Sequence, residues 1–198
     1  CGKGGNVINF VMEIEKMSYV EACQYLADKV KMPMPQNESR THYQDLRAQR
    51  EKIQKMNRIA AHFFYDSLQG GAGSEARAYL EKRGISDAVI KTFGLGFAPD
   101  GWDGLLNLLK ENGYTQKDAI EAGLAKASAG KVYDAFRNRV MMPIINNFSE
   151  VIGFGGRVMD KSEPKYLNSP ETAVFNKRRN LYNLNLVRKL KNLQYFVL

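Results

Sequence analysis

Cysteine, histidine and tryptophan are scarce in this chain of 198 residues, which has two, two and one of them respectively. Two cysteines, Cys1 and Cys23, are too few for a disulfide framework, and their number favours a reducing compartment. A structural zinc site needs about four ligands, and the histidines, His42 and His62, stand far from Cys1 in the sequence. We therefore expect no complete zinc site from these residues alone.

Long apolar runs are also missing. No stretch approaches the roughly 18 residues that predict a membrane span, and the first residues lack the basic and apolar segments of a signal peptide. We therefore expect a cytoplasmic protein without a membrane partner. The sequence has no Walker loop, no dinucleotide fingerprint and no supported Ser-His-Asp arrangement, and no helix follows the glycines of Gly153–Gly156. Four of the acidic residues of the last third form no obvious pair for catalytic metal ions: Asp134, Asp160, Glu163 and Glu171.

Positive charge is abundant, and it is unevenly distributed. Residues 131–198 hold 12 Lys and Arg against 5 Asp and Glu, a net charge of +7, whereas residues 1–130 hold 17 against 16. A concentrated basic surface attracts polyanions and speeds their capture. The alternative is that the surplus cations are merely solvated and keep the protein soluble.

The most informative stretch lies in this basic third, at Val151–Arg157 and Pro164–Pro170. Glycines on a strand allow a phosphate or another backbone to approach, because no Cβ is in the way. Arginine and lysine bind phosphate oxygens, a tyrosine ring stacks on a base, and an asparagine binds polar base edges. These residue types favour a single-stranded nucleic acid or a nucleotide as ligand: Arg157, Lys165, Tyr166 and Asn168. The alternative is a twisted hairpin whose glycines only relieve crowding.

Helical periodicity dominates the chain up to Gly130, and strands follow it. The spacing predicts short helices from Asn6 and from the capping box Ser18–Glu21, and a long helix from Thr41 to Leu68. Further short helices follow, and we expect the apolar stripe Trp102, Leu105, Leu106 and Leu109 to lie in the core. A hairpin is predicted at 139–145 and 150–159, with a bulge or an unpaired edge at Pro143. A basic helix at 183–191 and a strand at 193–198 complete the prediction.

Several ordered motifs resemble those of bacterial DnaG-type DNA primases. The stretch Cys1–Val11 is similar to the end of the family's zinc-binding domain. The segments that resemble its RNA polymerase domain are Ala78–Gly84, Phe93–Pro99, Phe136–Ile145, Gly153–Arg157, Pro164–Thr172, Phe175–Lys177 and Leu181–Tyr182. The resemblance spans essentially the whole chain.

The resemblance implies an α+β fold, with a helical N-terminal part, a mixed subdomain containing a twisted antiparallel sheet, and the first strand of a truncated toprim fold. The implied divisions are the remnant of a zinc-binding domain at 1–32, a linker at 33–40, the basic subdomain at 41–192 and the toprim strand at 193–198. Cys1 would be the last zinc ligand of the full-length protein. The toprim carboxylates that bind Mg²⁺ or Mn²⁺ would follow Leu198, so the chain alone should bind nucleic acid without polymerising.

The family makes short RNA primers on single-stranded DNA, and the resemblance implies that ribonucleotides, primer RNA and a replicative helicase are partners at the replication fork in the nucleoid. It also implies a set of groove residues: Arg83, Arg137, Arg139, Arg157, Lys165, Tyr166, Asn168 and Lys177. Arg137 and Arg139, two apart on an extended segment, should point to one side. The alternatives are a non-catalytic module that binds single strands and a nicking or topoisomerase-like enzyme with the same toprim fold.

Overall fold

The structure, a computed structural model, describes residues 4–15, 17–33, 39–178, 180 and 182–187. The chain divides into two compact units, residues 1–50 and residues 51–198. The predicted toprim strand at 193–198 and most of the predicted helix at 183–191 lie outside the described residues. No helix among the described residues is both long and apolar enough to cross a membrane.

The first unit contains α1 (Val7–Glu15), α2 (Tyr19–Lys29) and the beginning of α3 (Ser39–Gln69). The Asn6 side chain accepts a hydrogen bond from the Asn9 amide at the start of α1. The predicted capping box of α2 is confirmed, since the Ser18 hydroxyl and the Glu21 carboxylate each accept a hydrogen bond from the other residue's amide. Glu21 also binds the Arg50 guanidinium on α3. Local capping therefore sets where these helices begin.

The second unit contains the rest of α3, a short 3₁₀ turn at Gly71–Gly73, five further helices and six strands among its described residues. The helices are α4 (Ser74–Lys82), α5 (Asp87–Phe93), α6 (Gly104–Glu111), α7 (Gln116–Glu121) and α8 (Leu184–Val187). The strands are β1 (Gly96–Ala98), β2 (Ala125–Ser128), β3 (Lys131–Asp134), β4 (Arg139–Ile145), β5 (Val151–Val158) and β6 (Tyr166–Asn168).

Four strands form an antiparallel sheet in the order β1-β4-β5-β6, and β2 and β3 form a separate hairpin. The predicted hairpin of β4 and β5 is confirmed. Its register shifts between Ile144 and Ile145, directly after Pro143, the position where a bulge was predicted. The β2–β3 hairpin was not predicted, because its alternation of alanine, lysine and serine carries little apolar signal. The α+β fold class is confirmed.

The sheet separates two apolar clusters, because side chains alternate between its faces. The first core includes Met141 and Phe154 with Phe64 of α3, whose ring meets that of Phe154 edge to face at 5.3 Å. The second core includes Val140 with Leu68 of α3, and helices α4 and α5 contribute Leu80 and Ile90. Phe64 and Leu68 lie one turn apart, so α3 contributes to both cores.

Strand β1 lies directly against the backbone of α3. A Cβ placed on Gly96 would come within 2.6 Å of the Phe64 carbonyl carbon, which is closer than real Cβ contacts. Glycine is therefore required at this position by close approach. This contact sets the distance between the sheet and the helix.

An ion pair joins α3 to α7. The Lys52 ammonium binds the Asp118 carboxylate, which also accepts the Thr115 amide in the capping box that begins α7. The bond to Lys52, together with the Thr115 hydrogen bonds, lowers the pKa of Asp118 to about 2, although burial opposes this shift. The carboxylate therefore remains charged wherever the protein is folded near neutral pH.

Replacing Gly96 with Ala should lower the free energy of unfolding by about 1–3 kcal/mol, because the new methyl group must displace the backbone of α3. Urea unfolding followed by circular dichroism measures the change. Gly101→Ala is the matched control, since no heavy atom lies within 4 Å of a Cβ placed there. Equal midpoints for the two variants would show that β1 does not pack as tightly on α3 as described.

Candidate nucleic-acid interface

One cross-strand row of the sheet carries Arg157 and Tyr166, two of the residues predicted to bind nucleic acid. The register pairs Phe97 of β1 with Val140, Val140 with Arg157, and Arg157 with Tyr166. Directly paired residues in an antiparallel sheet place their side chains on the same face. Arg157 and Tyr166 therefore lie on the face that bears the second core, at the edge formed by β6.

The Arg157 side chain lies between two aromatic rings. Its guanidinium carbon is 5.3 Å from the centroid of the Tyr166 ring and 5.8 Å from that of Tyr79 on α4. Its Nε is buried and has no hydrogen-bond partner, which is uncommon for a buried polar atom. No carboxylate in the described part of the chain forms an ion pair with this guanidinium.

Arg83 extends the same arrangement. It follows the last residue of α4, and its guanidinium carbon lies 4.8 Å from the centroid of the Tyr79 ring, one helical turn before it. Tyr79 therefore contacts two guanidinium groups. We call the alternating set Arg83, Tyr79, Arg157 and Tyr166 the Arg–Tyr row. Tyr79 was not among the predicted site residues, although its i, i+4 spacing from Arg83 on a predicted helix is a signal that could have identified it.

Lys165 and Asn168 lie on or beside β6 and are exposed. The Asn168 Oδ1 is 3.2 Å from the position of a Cβ on its partner Gly155, so the glycine leaves room for the amide. The Lys165 carbonyl accepts the Val158 amide and its own amide donates to the Glu163 carboxylate. The Lys165 ammonium and the Glu163 carboxylate form no salt bridge, which leaves the ammonium available to a ligand.

Arg139 has a different environment, since only 8% of its surface is exposed. Its Nη1 donates to the Pro164 carbonyl oxygen at 2.8 Å, and its Cδ lies 3.1 Å from the position of a Cβ on Gly156. Burial, and then the nearby charge of Arg137, lower the pKa of the guanidinium below its usual value. Arg139 therefore fixes the loop before β6 to the beginning of β4.

Arg137 does not continue the alternation of β4, contrary to the predicted extended segment. The strand begins at Arg139, and Asn138 adopts a left-handed conformation with φ of 46°, so period-two geometry does not apply. The Arg137 guanidinium carbon instead lies 4.0 Å from the Trp102 ring centroid and 5.0 Å from that of Tyr133. Trp102 and Tyr133 meet edge to face at 5.5 Å.

The prediction that Trp102 lies in the core is wrong. The residue precedes α6 and 62% of its surface is exposed, whereas Leu105, Leu106 and Leu109 are buried as predicted. We call Trp102, Tyr133 and Arg137 the Trp102 cluster. Lys126 pairs with Tyr133 across the β2–β3 hairpin, so it extends the same face with a second cation.

Lys177 lies in an exposed turn that follows the buried Phe175. No contact joins it to the Arg–Tyr row among the residues that the structure describes. Cys1 and the side chain of His42 lie outside these residues, and Cys23 is a half-buried free thiol on α2. No group of three or more His, Cys, Asp or Glu side chains in the described ranges is placed to hold a metal ion, so these residues do not fit a zinc or magnesium site.

Comparison with known proteins assigns the chain to a family. Residues 63–188 match the family described as the N-terminal domain of the DNA primase catalytic core, and residues 1–42 match the CHC2 zinc finger. A DNA primase of Clostridium acetobutylicum is 47% identical over 189 residues, which cover 96% of this chain and 31% of the relative. The chain spans about a third of the length of the curated relatives it matches.

Two solved structures are similar in fold. The DnaG primase catalytic domain bound to single-stranded DNA is 44% identical, with a TM-score of 0.69 over 72% of this chain and 46% of that one. The zinc-binding and RNA polymerase domains of Aquifex aeolicus primase are 33% identical, with a TM-score of 0.63 over 93% of this chain and 43% of that one. On the strength of the family matches and these identities, the chain belongs to the DnaG-type bacterial DNA primases.

Proposed function

We propose that this chain supplies the nucleic-acid-binding surface of a primase that synthesises short RNA primers on single-stranded DNA. The observation that carries the proposal is the Arg–Tyr row, in which cations and rings alternate and no carboxylate of the described residues pairs with the guanidinium groups. A guanidinium binds phosphate oxygens through charge-assisted hydrogen bonds, and an aromatic ring stacks on any base. A surface of this kind binds single strands with little dependence on sequence. The solved DnaG catalytic domain with single-stranded DNA bound supports this assignment.

Within the row, Arg157 has the strongest support as a phosphate ligand. Two neighbouring guanidinium groups on one tyrosine ring repel each other, and an anion between or beside them removes that repulsion. No carboxylate in the described part of the chain balances the charge of Arg157, so the charge remains available to a phosphate. We assign Arg83 and Arg157 to phosphate groups of the template or nucleotide, and the exposed ring of Tyr166 to base stacking.

The remaining predicted residues take different roles in this proposal. Lys165 and Asn168 contribute to the site of the incoming nucleotide, since both are exposed beside the row. Lys177 adds a more distant phosphate contact. Arg139 acts through the loop before β6, because its guanidinium is buried against the Pro164 carbonyl oxygen. Arg137 binds the template through the Trp102 cluster, where the exposed indole offers a second ring to an unpaired base.

The metals and other partners of a primase are part of the same proposal. Zinc would belong to the CHC2 zinc finger, with Cys1 as one of its thiolate ligands. Magnesium or manganese would be held by toprim carboxylates and would stabilise the charge that develops when a 3′-hydroxyl attacks an α-phosphate. Ribonucleotides are the substrates and primer RNA is the product. The protein partner is a replicative helicase, and the complex acts in the cytoplasm, at the replication fork of the nucleoid. The residues described here position nucleic acid for that reaction and move no proton.

A non-catalytic module that binds single strands is the second candidate, and one observation favours it. The described residues hold no cluster of acids suited to metal binding. Both candidates require the Arg–Tyr row, so binding experiments with this chain test what they share. Primer synthesis by the full-length protein separates them, because only the primase makes RNA.

Arg157→Ala should weaken binding of labelled single-stranded DNA and reduce its dependence on salt. One lost phosphate contact changes the slope of log affinity against log salt by about 0.7 for a single strand. Fluorescence anisotropy at several salt concentrations measures both quantities. Arg77→Ala is the charge-matched control, since the Arg77 guanidinium is already paired with Asp87 at 2.8 Å. Identical slopes for the two variants would remove Arg157 from the phosphate contacts.

Tyr79→Leu should weaken DNA binding about fivefold, since it removes the ring that contacts both Arg83 and Arg157, and each cation–π contact contributes about 0.5–1 kcal/mol. Tyr79→Phe keeps the ring and should bind as the unaltered chain does. The same anisotropy assay compares the two. If Phe and Leu weaken binding equally, the hydroxyl rather than the ring is what matters, and the row is not held by cation–π contacts.

A further inference from the structure

The N-terminus of α6 is capped by a residue from another part of the chain. The Asp134 carboxylate, at the end of β3, accepts the Leu105 amide at 2.8 Å and the Leu106 amide at 2.9 Å. Asp103, the residue directly before the helix, makes no capping bond with its side chain. One carboxylate thus satisfies two amides that lack partners within the helix.

The main chain of the same residue holds the Trp102 cluster. The Asp134 amide donates to the Trp102 carbonyl oxygen at 2.7 Å, and the Arg137 Nη1 donates to the Asp134 carbonyl oxygen at 2.8 Å. Asp134 therefore contacts the peptide unit of the indole residue, the guanidinium that stacks on the indole, and the helix that follows. Every polar group of Asp134 is used in this way.

Keeping this carboxylate buried is unfavourable. Only 5% of the Asp134 surface is exposed, and burial raises its pKa to about 6, although the two amide bonds lower it. The charged groups that face it are Asp103, which raises the pKa further, and Arg137, which lowers it. The folded protein therefore binds a proton between about pH 4 and 6 that the unfolded chain does not, and its stability falls as the pH rises through this range. A cap from the exposed Asp103 would avoid this penalty.

We propose that Asp134 is a positioning residue for nucleic-acid binding, which holds the Trp102–Arg137 stack in the orientation that accepts an unpaired base and its phosphate. The proposal rests on the proposed function, because it assumes that the Trp102 cluster binds a single strand. Asp134 itself touches no ligand. Its main chain fixes the backbone of Trp102 and the guanidinium of Arg137. Its carboxylate fixes the first turn of α6, which begins two residues after Trp102, so that the stack does not have to be ordered when the strand binds.

A double-mutant cycle on the 198-residue chain tests this proposal. The variants are Asp134→Asn, Trp102→Leu and both together, and the probe is a labelled oligothymidylate of about 16 nucleotides. Asparagine keeps the shape but has one acceptor oxygen in place of two, so one amide of α6 loses its partner. Asp103→Asn is the matched control, since it removes the same charge one residue before the same helix. Circular dichroism checks that each variant folds.

Trp102→Leu should weaken binding about tenfold, the value of one lost stacking contact, and Asp134→Asn should weaken it several-fold. If Asp134 acts through the indole, the double variant binds like Trp102→Leu alone, within twofold. If the double variant instead binds more weakly by the product of the two single losses, Asp134 has a general structural role and the proposal is overturned. Unchanged binding by Asp134→Asn, with a loss for Trp102→Leu, would also overturn it but leave the proposed function intact. Unchanged binding by Trp102→Leu would remove the Trp102 cluster from the proposed function.

A second measurement does not depend on Asp134→Asn being folded. Trp102 is the only tryptophan of the chain, so intrinsic emission reports on the cluster directly. Protonation of the Asp134 carboxylate removes one acceptor from α6, and the emission should therefore change with a midpoint near pH 6. His42→Gln and His62→Gln are included as controls, and the transition should persist in both.

Asp103→Asn should move that midpoint to lower pH, because the Asp103 charge raises the Asp134 pKa. If the Trp102 emission of Asp103→Asn changes at this lower pH, the result supports the coupling between the Asp134 carboxylate and the indole. Constant emission between pH 4.5 and 8, values that bracket a pKa of about 6, would show that the state of the carboxylate does not reach the indole, and would overturn the proposal.

Discussion

The register of β5 between β4 and β6 is the constraint on which the interface depends. Because side chains alternate, a slip of one residue would turn Arg157 toward the first core and bring Phe154 to the face that bears Tyr79. The edge-to-face contacts of Phe154 with Phe64 and Phe136 oppose such a slip, since all three rings are buried in the first core. The packing of one face thus determines which residues are presented on the other.

Charge counts alone describe this surface poorly. The net charge of the last third predicted a basic face, yet its arginines have different environments. Arg139 is buried against a carbonyl oxygen, Arg137 is stacked on aromatic rings, and Arg157 is flanked by two tyrosines. A guanidinium that already donates to the protein has fewer donors left for phosphate, so the number of cations exceeds the number of strong phosphate ligands. Contacts, rather than total charge, decide which arginines can bind.

Much of the fold was predictable because its signals are local. The capping box marked the beginning of α2, and the apolar run with its turn marked β4 and β5. The site was predicted less completely, since Tyr79 and Arg157 meet only in the folded chain. The prediction that Arg137 and Arg139 point to one side was wrong, because Asn138 between them is left-handed and interrupts the extended segment. The spacing of the two arginines did not indicate that conformation. Trp102 resembled a member of the apolar stripe of α6, but it precedes the helix and is therefore not held on its buried face.

The long helix α3 has a further consequence through Phe64 and Leu68. These two buried residues are one turn apart, and each belongs to a different apolar cluster on either side of the sheet. Loss of that single turn would expose both clusters at once, so neither face of the sheet can open while the other stays closed. In native-state hydrogen exchange, the central strands and this end of α3 should then behave as one cooperative unit. Opposite faces of the sheet, one with the nucleic-acid surface and one without, would share the same opening free energy.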